Sequence, residues 1–227
     1  MKKSNTGSKN YNIPIETVLN AYKQGLFPMA ETAKSKEIYW IEPKKRGIFF
    51  FDKIKIPSKL KKLARSNPFE IAVNMEFHNV IENCSRLTSA RQDTWINETI
   101  KIIYLELFEQ GHAHSVECYL DKKLVGGLYG VSIGGVFFGE SMFSLVTNSS
   151  KFALLHLIER LSVGEYDFID TQFINDHLKR FGAVEVTDTF FKRILKRGIK
   201  KKANFFKFFP SGFIPNNLLP LKRGNFN

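Results

Sequence analysis

The feature that most constrains this chain is a run of three apolar strands joined by two-residue turns. The predicted strands cover residues 114–120, 124–131 and 136–139, and the turns are Asp121-Lys122 and Gly134-Gly135. Connections of this length and composition are typical of hairpins, in which consecutive strands pair antiparallel. A doubly wound nucleotide-binding fold, which is built on parallel strands, is therefore disfavoured.

Helices and further strands surround these hairpins in the order expected of a mixed α/β protein. Apolar residues at helical spacing predict helices at residues 14–24, 58–65, 74–84, 100–110, 149–161, 175–181 and 188–196. Short apolar runs predict additional strands at residues 39–40, 48–51, 69–73, 166–171 and 183–186. The fold class is therefore α/β, with a mixed, largely antiparallel sheet flanked by helices.

The charge along the chain changes sign twice. Residues 1–66 hold 15 Lys and Arg against 5 Asp and Glu, residues 67–189 hold 9 against 17, and residues 190–227 hold 10 against none. An acidic centre between basic ends suggests a polyanion that is bound at the ends. Nucleic acid, a membrane surface and merely solvated ends all remain open on composition alone.

The first sign change coincides with Asn67-Pro68, a dipeptide that breaks the preceding helix. We therefore predict a small basic α+β domain at residues 1–66 and a second domain at residues 67–196. Residues 197–227 form a basic, Phe-rich tail whose structure the sequence does not predict.

Composition also indicates the cellular compartment of the protein. No apolar stretch approaches the ~18 residues of a membrane span, and the polar N-terminus lacks the apolar region of a secretory signal. The two cysteines, Cys84 and Cys118, lie in apolar periodic segments. These features predict a reduced, cytoplasmic protein that does not enter a membrane.

Several common motifs are absent from the sequence. There is no phosphate loop and no GxGxxG, and Ser141 and Ser144 do not form a GxSxG elbow. His112, His114 and Cys118 have the spacing of one strand, but no second pair of ligands accompanies them. We therefore predict no metal site.

Two polar segments follow apolar strands. Glu140 comes directly after the apolar run 136–138, where a carboxylate is costly unless it is paired or used. Asp170 and Gln172 follow the strand at residues 166–169 and, two positions apart, are expected on one side of it. The alternative is that polar residues here only cap the next helix.

Several short sequence segments, taken together in their order and spacing along the chain, resemble those of the leucyl/phenylalanyl-tRNA–protein transferase family. The segments are residues 22–28, 39–40, 94–96, 111–115, 125–130, 138–144, 169–172 and 175–177. The resemblance spans residues 22 to 195. The sequence departs from the family pattern at Met29 and Tyr39, where tryptophan is common, and in its tail.

The resemblance implies a fold, a reaction and two partners. The family has a small N-terminal domain followed by a domain of the acetyltransferase-like (GNAT) fold. It moves Leu or Phe, and Met less well, from aminoacyl-tRNA to the α-amine of proteins that begin with Arg or Lys, which creates an N-degron for proteolysis. Because the aminoacyl ester is already activated, no cofactor is expected, and positioning the reactants supplies much of the catalysis. We expect a monomer.

The resemblance also implies roles for individual residues. Asp170 and Gln172 match the family's catalytic pair, and Glu140 lies near the aminoacyl end, where a carboxylate can hold an ammonium. An apolar aminoacyl pocket is expected from Leu128, Phe137, Met142 and Leu157, although each of them could be ordinary core. Trp40 and Trp95 are candidates for stacking on the 3′-terminal adenosine. Contacts to tRNA phosphates are expected from Lys44, Lys45, Arg46, Lys59, Lys61, Lys62 and Arg65.

Two other functions remain open. An acyl-CoA N-acyltransferase on the same fold would need a Q/R-x-x-G-x-G/A segment, which is not visible between Gly139 and Lys151; coenzyme A would shift its melting temperature. A non-catalytic RNA-binding module would bind without turnover and would leave Asp170 and Gln172 without a task.

Overall fold

The computed structural model describes residues 2–5, 13–66, 68–89 and 92–207. The helices are α1 Ile15–Lys23, α2 Ser58–Ser66, α3 Phe77–Ser85, α4 Glu98–Glu109, α5 Ser149–Val163, α6 Asp176–Arg180 and α7 Asp188–Gly198. The strands are β1 Lys2–Asn5, β2 Phe27–Ala30, β3 Ile38–Glu42, β4 Lys45–Phe50, β5 Glu70–Val73, β6 Ala113–Leu120, β7 Lys123–Ile133, β8 Val136–Ser144, β9 Phe168–Gln172 and β10 Val184–Thr187.

Two sheets organise the described residues. A three-stranded antiparallel sheet has the order β1-β3-β2, and a seven-stranded sheet has the order β10-β4-β9-β8-β7-β6-β5. In the large sheet β8 and β9 pair in parallel, and the other neighbours pair antiparallel. The predicted α/β class is confirmed, and the arrangement fits the acetyltransferase-like fold that the resemblance implies.

The large sheet is covered on both faces. Along β8, Val136 and Phe138 contribute to a core that includes α1, α3, α4 and α7, whereas Phe137 contributes to a core that includes α2, α5 and α6. The alternation follows from the two-residue repeat of a strand. Helix α5 is buried along most of its length, which is consistent with its weakly amphipathic sequence.

Strand β4 belongs to the large sheet although it precedes residue 66. It pairs with β9 on one side and with β10 on the other. The predicted strand at residues 48–51 begins too late, because Lys45, Arg46 and Gly47 already lie in this strand. The domain boundary at residue 66 stays a prediction, but residues on both of its sides build one sheet.

The beginning of the tail packs against the sheet. The ring of Phe205 stacks on His114 with centroids 3.9 Å apart, and Arg160 donates a hydrogen bond to the Phe205 carbonyl. The rest of the predicted tail, residues 208–227, lies outside the described residues. No helix in the described part of the chain is long and apolar enough to cross a membrane.

Candidate active site

A gap between the two parallel strands positions the site. β8 and β9 pair only from Val136 and Phe168 to Phe138 and Asp170. Beyond this point β8 continues along β7, whereas β9 continues along β4. A cavity of about 370 Å³ lies beside this separation, and both Glu140 and Gln172 line it.

A β-bulge turns Glu140 toward the cavity. Gly130 of β7 pairs with Gly139, whereas its neighbour Tyr129 pairs with Ser141, so Glu140 is an extra residue on β8. A bulge bends the strand and re-aims the side chain at this point. The sequence predicts a polar residue, Glu140, after the apolar run 136–138, but it does not predict the bulge.

Two tyrosines and an amide surround the carboxyl group of Glu140. The hydroxyl oxygens of Tyr22 and Tyr104 lie 2.8 Å from Oε1 and 2.7 Å from Oε2, respectively. The side-chain amide of Gln172 donates to Oε1 at 3.1 Å. Burial is the largest cause that raises the pKa of Glu140, to about 7. The group therefore changes charge close to neutral pH.

Asp170 forms a buried ion pair instead of facing the cavity. Arg46 Nε lies 2.8 Å from Oδ1 of Asp170, and Nη2 lies 2.6 Å from Oδ2. The same guanidinium donates to the carbonyl of Gly25 at 2.8 Å and lies over the ring of Phe191. Asp170 is fully buried, and the ion pair with Arg46 neutralises its charge.

Asp170 also fixes the backbone of Gln172. Its Oδ1 accepts a hydrogen bond from the backbone N–H of Gln172 at 2.9 Å. Gln172 has a φ of 55°, in the left-handed region that favours glycine. Thr171 is an extra residue in the pairing of β9 with β4, between the pairs of Asp170 and Gln172. Asp170 thus holds Gln172 in a strained conformation that brings its amide to Glu140.

The remaining wall of the cavity is mostly apolar. Its aliphatic and thioether side chains are Leu128, Met142, Leu154, Leu157, Ile169 and Leu178. Aromatic side chains also line it, and among them Phe173 is 47% exposed and packs edge-on against Phe27. An apolar cavity with a few convergent polar groups is the usual form of a small-ligand site.

Most of the residues predicted for catalysis, the aminoacyl pocket and adenosine stacking meet at this cavity. Those that line it are Glu140, Gln172, Trp95, Leu128, Met142 and Leu157. The expectation that Asp170 shares one side with Gln172 is wrong, because the bulge and the left-handed residue interrupt the alternation of the strand.

Two aromatic assignments need correction. Trp40 is only 6% exposed and belongs to the core beside α1, so too little of its indole is free to stack on an adenine ring. Phe137 is fully buried, does not line the cavity and lies parallel to the Phe205 ring at a centroid distance of 6.0 Å. Both are core residues in this structure.

One of the basic residues is also misassigned. Arg46 is 1% exposed and holds Asp170, so it is not free to contact tRNA phosphates. Its neighbour Lys44 is exposed, and Lys45 is exposed beside Glu185 at 2.8 Å. On α2, Lys59, Lys61 and Lys62 are exposed. The Arg65 side chain lies outside the described residues.

Sequence reasoning assigned no chemical role to Tyr22 or Tyr104. Each lies on the apolar face of a predicted helix, and in the structure that face is buried. A hydroxyl group on a buried helix face needs a hydrogen-bonding partner, and this requirement was the available signal.

Comparisons with known proteins now bear on this site. The pattern described as leucyl/phenylalanyl-tRNA protein transferase matches residues 48–196, and the pattern for the N-terminal domain of that transferase matches residues 12–44. A leucyl/phenylalanyl-tRNA–protein transferase from Zymomonas mobilis is 47% identical over 80% of this chain and 68% of its own length. One from Afipia carboxidovorans is 43% identical over 89% of both chains.

The fold, the site and these matches define an aminoacyltransferase, an enzyme that transfers an aminoacyl group. Within that class the assignment is specific, because the matches extend over most of the chain. The chain belongs to the leucyl/phenylalanyl-tRNA–protein transferase family.

Proposed function

We propose that this enzyme moves leucine or phenylalanine, and methionine less well, from aminoacyl-tRNA to the α-amine of proteins that begin with arginine or lysine. The added residue then serves as an N-degron for proteolysis. The observation that carries the proposal is an apolar cavity of about 370 Å³ lined at one place by Glu140 and Gln172. We expect a monomer in the cytoplasm, where aminoacyl-tRNA is made.

The apolar wall supports the choice of amino acid. Leu128, Met142 and Leu157 offer a surface without charge, which suits the side chains of leucine, phenylalanine and methionine. A polar or charged side chain packed against these three residues would lose its hydration without gaining a hydrogen-bonding partner from them. Such a wall accepts apolar residues and discriminates among them only by volume and shape.

The polar groups support attack by an amine. The amine nitrogen attacks the ester carbonyl and a C–N bond forms. The C–O bond to the ribose then breaks, and a proton from the amine ends on the ribose oxygen. Gln172 and Glu140 both line the cavity, and we expect Gln172 to hydrogen-bond the amine or the ester and Glu140 to hold an ammonium. Asp170 acts through the backbone of Gln172.

Charge and surface residues support the two large substrates. Trp95 is half-buried at the cavity and can stack on the terminal adenosine. The exposed lysines of α2, with Lys44 and Lys45, suit tRNA phosphates. Residues 67–189 carry an excess of 8 negative charges, which suits an acceptor that begins with a basic residue.

A transfer assay tests the proposal directly. Purified protein is incubated with leucyl-tRNA that is labelled in the leucine and with a peptide that begins with arginine. We expect the peptide to gain one leucine. The controls are the same peptide with an acetylated N-terminus and one that begins with aspartate, and neither should be lengthened. Unchanged peptide with leucyl-, phenylalanyl- and methionyl-tRNA alike would contradict the proposal.

A further inference from the structure

Glu140, which lines the cavity, and two buried tyrosines behind it lie close enough to form a closed ring of hydrogen bonds. The hydroxyl oxygens of Tyr22 and Tyr104 are 2.7 Å apart. Glu140 Oε1 lies 2.8 Å from the first hydroxyl, and Oε2 lies 2.7 Å from the second. Contacts of this length between oxygens are hydrogen bonds, so each needs one proton between its two oxygens.

The number of protons decides which form of Glu140 fits the ring. If Glu140 is ionised, only the two tyrosine hydroxyls supply protons, and both are drawn to the carboxylate. The contact between Tyr22 and Tyr104 then holds no proton, and two sets of lone pairs face each other at 2.7 Å. An ionised Glu140 therefore leaves one of the three contacts unsatisfied.

A protonated Glu140 satisfies every contact. The acid donates from Oε2 to Tyr104, Tyr104 donates to Tyr22, and Tyr22 donates to Oε1. The amide of Gln172 donates to the same Oε1, which as a carbonyl oxygen accepts two hydrogen bonds. Each of the four contacts among these side chains then holds one proton.

The charged groups around Glu140 are compatible with its neutral form. Asp170 and Arg46 lie behind Gln172 and neutralise each other, and Tyr129 of β7 is a further buried titratable group nearby. Burial is the largest cause that raises the pKa of Glu140, to about 7; donation from Tyr104 and Tyr22 lowers it, Asp170 raises it, and Arg46 lowers it. Near neutral pH, a modest change at the site is enough to move the proton.

We propose that Glu140 is a neutral carboxylic acid in the resting site and releases its proton when the ammonium of the acceptor binds beside it. The O–H bond of the acid breaks, the proton passes to solvent, and the carboxylate keeps the electron pair. No other bond changes in this step. The release rests on the proposed function, because it requires an acceptor amine at Glu140. An empty site then carries no unpaired charge, and an acceptor with a free amine creates its own ion pair.

Infrared spectroscopy tests the resting form without any substrate. A protonated carboxyl group has a carbonyl band that the carboxylate lacks. Below neutral pH, we expect the wild-type protein to show one such band that is missing in Glu140→Gln and that disappears as the pH rises through about 7. The amide of this variant can fill the same ring, because it both donates and accepts. Glu117 is also buried with a raised pKa, so the difference spectrum assigns the band.

The matched control is Glu109→Gln, which changes an exposed carboxyl group on α4 and should leave the band in place. Identical carbonyl bands in the wild type and Glu140→Gln would overturn the neutral acid.

Addition of the Arg-initiated peptide below neutral pH tests the release. We expect the Glu140 band to disappear, whereas the acetylated peptide should leave it unchanged. A band that persists while leucine is transferred would overturn the release. If the band is present in the resting protein but no leucine is transferred, the proposed function fails and the neutral acid stands.

Discussion

The ion pair between Arg46 and Asp170 gives Asp170 a structural role, which a measurement of transfer alone would not reveal. Both side chains are buried, and two nitrogens of the guanidinium contact the carboxylate. A buried charge that loses its partner is strongly destabilising, whereas an exposed pair contributes little. Loss of transfer in an Asp170 variant must therefore be compared with its loss of stability.

We predict that Asp170→Asn lowers the free energy of unfolding by ~3–5 kcal/mol, because it leaves the Arg46 charge buried without a counter-charge. Urea unfolding of the purified variant measures this change. The matched control is Asp176→Asn, which breaks an exposed pair with Lys179 and should cost less than ~1 kcal/mol. Similar losses in the two variants would show that the buried pair has no special weight.

The left-handed backbone of Gln172 allows a second test at this scale. At most positions alanine stabilises a protein relative to glycine, but a φ of 55° reverses the preference. We predict that Gln172→Gly is about 1 kcal/mol more stable than Gln172→Ala, and that both lose transfer because both lack the amide. Denaturation and single-turnover transfer are measured on the same preparations. A more stable alanine variant would show that the backbone is not strained.

At the scale of elements, the sequence predicted what is local and missed what depends on distant pairing. The hairpins of β6, β7 and β8 were predicted because short turns fix which strands are neighbours. The sequence groups Arg46 with the other basic residues of the N-terminal region, whereas its partner Asp170 lies 124 residues further along the chain. The bulge at Glu140 depends on the register between β7 and β8, which hydrophobic patterning does not encode.

That bulge also decides which residues of β8 reach the cavity. Phe137 and Met142 are five positions apart, a spacing that places them on opposite faces of a regular strand, yet both pack against the core that contains α5. Of the two, Met142 lines the cavity, whereas Phe137 lies beside Phe205.

We predict that Met142→Ala lowers transfer of leucine more than transfer of phenylalanine, because the larger ring can fill the vacated space. The matched variant Phe137→Ala should cost ~3–5 kcal/mol of stability and leave the ratio of the two substrates unchanged. Transfer from leucyl- and phenylalanyl-tRNA, measured beside a thermal melt, separates the two effects. A changed ratio of leucine to phenylalanine transfer in Phe137→Ala alone would show that Phe137 belongs to the aminoacyl pocket.

At the scale of the whole molecule, net charge differs in sign between two regions of the sequence. The basic residues before residue 66 and the acidic residues of 67–189 differ in net charge by 18 units, from +10 to −8. Helix α2 presents Lys59, Lys61 and Lys62 to solvent and buries Leu60 and Ala64 against the core. Its charged face is therefore held in place by its apolar face.

We predict that changing Lys59, Lys61 and Lys62 together to alanine weakens tRNA binding and flattens its dependence on salt. Each phosphate contact that is lost removes about 0.7–0.9 from the slope of log affinity against log salt. The control changes two exposed lysines within the acidic region, Lys122 in the turn between β6 and β7 and Lys123 at the start of β7. An equal change of slope per lysine in both variants would mean that the α2 lysines act only through net charge.

The position of β4 in the large sheet has a consequence for how the chain is made. Phe49 of β4 pairs with Ile169 of β9, which the ribosome adds 120 residues later. At roughly 5–20 residues per second, β4 is synthesised about 6–24 seconds before its neighbour exists. During that interval an apolar strand has neither of its native edges covered, so nascent chains are most exposed to aggregation and to chaperone binding before β9 is synthesised.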